Sequence, residues 1–286
     1  MALSDEQLEV RLATQQWTSH NVKLSPQITT MPGKPDFMET DTRLRSILRT
    51  LSLLYREGFT GLRVADLGCL EGGFVLAMAQ RGMDVIGIEA RQTNFDKALL
   101  IKEHFDLPNL EFRRDDVKNF TRENYGKFDI VLALGILYHL DEPTKWMRQL
   151  AAATEALLIV DSHFAPSLDA GLPLLDKRLP LGPMQKLKDG ETTYEGRWFS
   201  DCSPDTDREA QVWSSYSNNK SFWLTKDSLC CGLMQAGFGV VFEQFDAWAD
   251  LDVYKHFSTV FVRGLFLALK PNAFDSQNSE ALLPTR

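Results

Sequence analysis

From residue 62 to residue 161 short apolar runs alternate with helical patterns. This alternation constrains the fold more than any other feature of the chain. The runs at 62–67, 84–89, 110–113, 128–134 and 156–161 read as strands, and the segments 74–81, 94–104 and 143–153 read as helices. Such alternation predicts a parallel sheet with helices on both faces. Parallel strands buried on both sides read as near-continuous apolar runs. Ile130-Val131-Leu132-Ala133-Leu134 and Leu157-Leu158-Ile159-Val160 are of that kind.

The flanks differ. Ser4 with Gln7 three residues later forms a capping box for a first helix. Leu44, Ile47, Leu48, Leu51 and Leu54 place a second helix over 40–57, closed by Gly58. Beyond the fifth strand the alternation stops. Residues 163–222 carry five prolines (Pro166, Pro173, Pro180, Pro183 and Pro204) and many aromatics. The segment is too aromatic for a disordered linker and too irregular for a sheet element, so it reads as an ordered insertion or lid. A helix at 225–236 and strands at 238–245 and 258–269 follow, then a polar tail after Pro271.

Bulk properties exclude several classes. The 286 residues hold 31 Lys and Arg against 39 Asp and Glu, a formal net charge of −8. A nucleic-acid binder usually shows a basic face, so nucleic acid is a disfavoured partner. Arg43, Arg45, Arg49 and Arg56 read as a solvated helix face. No apolar run approaches the ~20 residues that span a bilayer. Asp5, Glu6 and Glu9 make the first ten residues unlike a signal peptide. Cys69, Cys202, Cys230 and Cys231 lack disulfide or metal-ligand spacing. A reducing, cytoplasmic setting is expected, and no metal is.

The sequence Arg63-Val64-Ala65-Asp66-Leu67-Gly68-Cys69-Leu70-Glu71-Gly72-Gly73-Phe74 is a strand, a Gly-rich turn and a helix start. In an open α/β sheet ligands bind beyond the carboxyl ends of the strands. Glycines there let backbone approach a ligand, and free N–H groups at the helix start favour an anionic or polar group. A dinucleotide site requires G-x-G-x-x-G. Gly68 and Gly73 have that spacing, but Leu70 stands where pyrophosphate needs the closest backbone. Asp66 at the strand end suits a cationic amino group, which a dinucleotide lacks. Glu89, ending the second strand, suits ribose hydroxyls.

The DLGC-x-E-GG loop, the Ile88-Glu89 strand end and Phe128-Asp129-Ile130-Val131-Leu132-Ala133-Leu134-Gly135 together resemble the class I S-adenosylmethionine-dependent methyltransferases. The resemblance covers about residues 62–161. It implies an α/β, Rossmann-like seven-stranded sheet with an antiparallel last strand and helices on both faces. A helical extension (1–60) would precede the methyltransferase domain (61–270), which would carry the insertion (163–223), and a tail (271–286) would follow. The resemblance implies S-adenosylmethionine as cofactor, held at Asp66, Gly68, Cys69, Gly72, Glu89, Ala90, Asp116 and Val117, with Asp115 as a rival for the adenine contact. Leu134 and Gly135 would lie near the sulfonium. Gly135-Ile136-Leu137-Tyr138-His139-Leu140 with Trp17-x-x-His20 is similar to a narrower group. That group includes tRNA wobble-uridine carboxymethyltransferases and natural-product methyltransferases.

Methyl transfer to oxygen requires removal of a proton, and histidine is the usual acceptor near neutral pH. His139 follows the fourth strand. His163 follows the fifth, two residues after Asp161. Trp17, His20, Tyr138, Trp198, Trp213 and Trp223 are candidate acceptor contacts, and Arg197 and Lys220 read as surface cations. The expected activity is methyl transfer to an oxygen or nitrogen of a small molecule, such as a secondary metabolite or sugar. A second copy of the chain is a candidate partner, as a homodimer. The alternatives are a tRNA-modifying transferase and a non-catalytic cofactor-binding module.

Overall fold

The computed structural model describes residues 3–167, 181–245, 262–271 and 273. Seven strands form the main sheet: β1 (Arg63–Leu67), β2 (Asp84–Glu89), β3 (Leu110–Arg114), β4 (Phe128–Leu134), β5 (Thr154–His163), β9 (Val240–Gln244) and β10 (Arg263–Leu269). Their order is β3-β2-β1-β4-β5-β10-β9. The first five run parallel, and β10, the last strand, is antiparallel to both β5 and β9. The antiparallel last strand matches expectation. The start of the expected final strand, 258–261, and the tail beyond 273 lie outside the described residues.

The apolar runs place side chains alternately on two layers. Val64, Ile130, Leu132 and Ile159 join one core with α2 (Thr42–Leu54), α3 (Gly73–Ala79) and α4 (Gln92–Phe105). Ala65, Val131, Ala133 and Leu158 join the other with α5 (Pro143–Ala153) and α6 (Lys226–Gln235).

Local chemistry sets the helix ends. In α1 (Asp5–Ala13) the capping box is complete: Gln7 N donates to Ser4 Oγ (3.3 Å) and Ser4 N to Gln7 Oε1 (2.8 Å). Asp41 caps α2 by accepting Leu44 N at 3.0 Å. That helix ends at Leu54, earlier than the pattern predicts, and Gly58 lies in the following turn.

The insertion corrects the sequence reading. It contains a three-stranded antiparallel sheet, ordered β6 (Leu181–Asp189), β7 (Thr192–Ser200) and β8 (Lys220–Leu224). Asp189 pairs with Thr192 around Gly190-Glu191, a two-residue hairpin turn whose glycine has φ +61°. Asp-Gly between two stretches of mixed polarity was the available signal; the prolines and aromatics around it obscured the pattern. Phe222 N donates to Leu140 O (2.9 Å), tying β8 to the turn that follows β4.

Candidate functional site

A cavity of ≈ 410 Å³ opens at the carboxyl ends of β1, β2 and β4. The strand order departs in both directions from β1, with β2 on one side and β4 on the other, and a crevice forms at that point. Asp66, Gly68, Cys69, Glu89, Ala90, Asp116, Val117, Leu134 and Gly135 all line it. Gly72 and Asp115 do not. The Asp115 carboxylate accepts Tyr125 Oη (2.6 Å), Asn119 Nδ2 (2.7 Å) and Asp116 N (2.8 Å), so it shapes the turn that presents Asp116.

Two glycines in the loop after β1 are required sterically. Gly68 has φ +67°, and a Cβ there would lie 2.2 Å from Ile136 Cδ1. Gly72 has φ +81°, and a Cβ would lie 2.6 Å from Phe112 Cζ. Between them Leu70 adopts φ +50°, a conformation costing a side-chain-bearing residue on the order of 1 kcal/mol. Its N–H donates to Glu89 Oε2 at 3.1 Å. The loop is thereby locked onto the neighbouring strand.

Asp66 and Glu89 are both 3% exposed. Glu89 Oε1 also accepts Arg91 N (2.8 Å). Among the described residues nothing donates a hydrogen bond to the Asp66 carboxylate. Burial, with the Glu89 charge second, raises its pKa to about 8. Burial likewise raises Glu89, against the Arg91 N–H and guanidinium.

Glu71, in the same loop, is fully buried and carries the N-terminal segment. Its carboxylate accepts Thr18 N (2.6 Å), Thr18 Oγ1 (3.0 Å), Ser19 N (3.1 Å), His20 N (2.8 Å) and Lys97 Nζ (3.0 Å). Burial acts to raise its pKa, but these donors outweigh it and hold the group ionised. His20 then caps α3: Nδ1 accepts Gly73 N at 3.0 Å. Burial lowers its pKa to about 4, against the pull of Glu71, so the ring is neutral and acts as an acceptor there. His20 lines the cavity. Trp17 does not; it is buried in the core under this segment.

His139 lies on the cavity wall in a 3₁₀ turn, Leu137–His139. Its Nδ1 is 2.8 Å from Asp201 Oδ2, and the Asp201 side chain is 1% exposed. A carboxylate in that position pairs with Nδ1–H, the tautomer that leaves a lone pair on Nε2. Asp201 also accepts Ser221 Oγ (2.9 Å) and Ser215 N (3.0 Å).

His163 is placed differently. It lies outside the cavity lining, with Nδ1 3.1 Å from Val262 O and its ring stacked on Trp223 (4.9 Å, 15°). Burial, then the Arg263 charge, lowers its pKa to about 4. A group so weakly basic is a poor proton acceptor at neutral pH. Asp161 does not serve it. Asp161 accepts Arg263 Nε and Nη2, both at 2.8 Å, and Arg43 Nη1 at 3.2 Å.

Arg43 is therefore no solvated helix residue. It lines the cavity with Arg263, over the buried Asp161. Arg197 is likewise no surface cation: it is fully buried and donates to Pro166 O and Gly182 O. Of the aromatic candidates Tyr138 and Trp213 line the cavity. Trp198 packs edge-on against Phe222 (5.1 Å), and Trp223, 1% exposed, sits behind Tyr138 (5.7 Å). These two support the wall from behind because the small sheet needs its own core.

The model of a methyltransferase domain matches residues 38–242. The chain belongs to that family. Over 88 residues the chain is 36% identical to the ubiquinone biosynthesis O-methyltransferase of Acinetobacter baylyi, a match covering 30% of the chain and 36% of that relative. A further 105-residue match, 29% identical, is to the O-antigen chain terminator bifunctional methyltransferase/kinase WbdD of Escherichia coli; it covers 34% of the chain and 15% of the relative. The chain thus spans only about a third, or less, of the relatives it matches. The fold is that of the N-terminal domain of EvdMO1, solved in the presence of SAH and D-fucose: TM-score 0.68, 22% identity, 94% of this chain and 98% of that one.

Sequence reasoning missed Asp201, Arg91, Glu71, Arg43 and Arg263 as parts of the site. Glu71 carried a signal, since a charge between Leu70 and Gly72 in a buried turn needs partners. Asp201 carried none: its partner lies 62 positions away.

Proposed function

We propose that this chain transfers a methyl group from S-adenosylmethionine to a hydroxyl oxygen of a small-molecule acceptor of the sugar or secondary-metabolite class. Asp66 carries the reading. Ionising a buried carboxylate that has no partner is costly, and Asp66 accordingly holds its proton up to about pH 8. A ligand ammonium, such as that of the methionine moiety, relieves the cost, and a dinucleotide offers none. Glu89 keeps lone pairs for ribose hydroxyls beyond those used by Leu70 N and Arg91 N. Asp116 and Val117 would flank the adenine, and Leu134 and Gly135 the sulfonium side.

When bound, S-adenosylmethionine supplies the methyl group on a sulfonium that departs as a neutral thioether. The chain supplies the proton acceptor. An alcohol oxygen must lose its proton as it attacks, and His139 Nε2 takes it while Asp201 stabilises the imidazolium. Tyr138 and Trp213 wall the acceptor space, and the Arg43 and Arg263 pair over Asp161 closes it. The relatives' names and the D-fucose present with EvdMO1 support a hydroxyl acceptor.

The test is calorimetric titration with S-adenosylhomocysteine, followed by transfer of labelled methyl to a panel of monosaccharides, hydroxyquinones and amines. Micromolar binding and label on hydroxyl compounds are expected. No binding at millimolar ligand would overturn the cofactor assignment, and label on amines alone would overturn the oxygen acceptor.

A further inference from the structure

The loop 201–219, between β7 and β8, grips His139 at one end and the ribose side of the cavity at the other. Asp201 holds the His139 ring. Asn218 Nδ2 donates to His139 O (2.9 Å), and Asn218 Oδ1 accepts Ser215 Oγ (2.7 Å). The loop's middle is clasped by Arg91, two residues after Glu89. Arg91 Nε donates to Arg208 O (2.8 Å), and Nη2 donates to Gln211 O (2.8 Å) and Ser214 O (2.6 Å). Glu209 accepts Gln92 N at the start of α4 (2.8 Å). Residues 212–217 then line the same cavity as Glu89 and Asp116.

The two grips meet in one peptide unit. Ser214 O accepts from Arg91, and Ser215 N, in the same planar amide, donates to Asp201 (3.0 Å). A peptide plane cannot tilt at one end alone. Displacing Ser214 away from Arg91 displaces the donor that orients Asp201, and with it the partner of His139 Nδ1.

We propose that this shared peptide couples occupancy of the ribose end of the cavity to the orientation of His139, with Arg91 and Asp201 as the positioning residues. The role of His139 as proton acceptor rests on the methyl-transfer reading; the coupling itself does not need turnover. A ligand that binds at Glu89 and packs under residues 212–217 favours the clasped loop, and the clasped loop favours the aligned Asp201 and His139 pair. The coupling is reciprocal. The titratable groups against His139 are Asp201, Tyr138 (ring centroid 4.2 Å away) and, beyond Tyr138, His163. Of the three only Asp201 takes part in the clasp, through Ser215 N.

The experiment follows the His139 imidazole by NMR titration, with and without saturating S-adenosylhomocysteine, alongside calorimetric affinity. In the wild type, ligand moves the His139 midpoint. In Arg91→Met the ligand-induced movement falls by more than half and affinity drops about tenfold; Arg91→Lys, which keeps the charge but not the fork, reports the same loss if the methionine variant does not fold. Asp201→Asn abolishes the movement. A His139 midpoint indifferent to bound ligand would overturn the coupling and leave the cofactor assignment intact. So would Arg91 variants that weaken binding without altering the movement. Failure of S-adenosylhomocysteine to bind the wild type would overturn both readings.

Discussion

Asp66 and Glu89 stand at the carboxyl ends of adjacent parallel strands, and both carboxyl groups lie buried at the cavity. Two such groups cannot both ionise cheaply without a cation. With its pKa at about 8, Asp66 is mostly protonated at neutral pH in the free protein. An ammonium ligand favours the ionised form, so binding releases a proton and affinity rises with pH up to about 8. Calorimetry in buffers of differing ionisation enthalpy should show that release at pH 7. The Kd should tighten by up to about tenfold per pH unit between pH 6 and 8. Asp66→Asn should abolish this pH dependence and weaken binding by about 10- to 100-fold, as for loss of a charge-assisted hydrogen bond.

His139→Ala should leave S-adenosylhomocysteine affinity within about threefold while lowering kcat on a hydroxyl acceptor by about 10²–10⁴, the usual contribution of a general base. An unchanged kcat would remove His139 as the proton acceptor.

Glu71 joins the cofactor loop to the N-terminal segment and to Lys97. Glu71→Ala leaves Lys97 buried without its counter-charge and strips four other donors of their acceptor. Breaking a buried ion pair in this way costs about 3–5 kcal/mol. Thermal unfolding should fall by roughly 10 °C, and limited proteolysis should cut before residue 20 faster than in wild type. Glu71→Gln, which keeps acceptor capacity, should lose less.

Acid should destabilise the fold through buried neutral histidines. The folded-state pKa of His163 is depressed to about 4 against 6.5 when unfolded. Its contribution is therefore full above pH 6.5 and is lost as pH falls toward 4. At pH 5 the loss is about 2 kcal/mol. His163→Phe keeps an aromatic ring against Trp223 and removes the titration. Urea unfolding at pH 7.5 and pH 5 should show a smaller difference in that variant. His20, lowered to about 4 mainly by burial, acts in the same direction.

Much of the architecture can be read from neighbouring residues. The strands Asp84–Glu89 and Phe128–Leu134 and the helix Pro143–Ala153 fall where apolar period and turn chemistry place them. The Ser4 and Gln7 capping box is complete as spaced. Strand ends in a parallel sheet face one edge, so Asp66, Glu89 and His139 were bound to converge. These properties are local: they depend on residues within a few positions and on the sheet's fixed geometry. Partnerships between distant side chains are of another kind. Asp161 lies on β5 two residues before His163, yet it pairs with Arg263 and Arg43, 102 and 118 positions away. Asp201 reaches His139 only because β7 and β8 form a sheet that docks on the turn after β4. The sequence alone determined where a cofactor loop and its acidic partners stand. The tertiary structure decided which histidine holds a carboxylate at the cavity and which is stacked behind it, because a buried charge takes the partner that packing brings within hydrogen-bond reach.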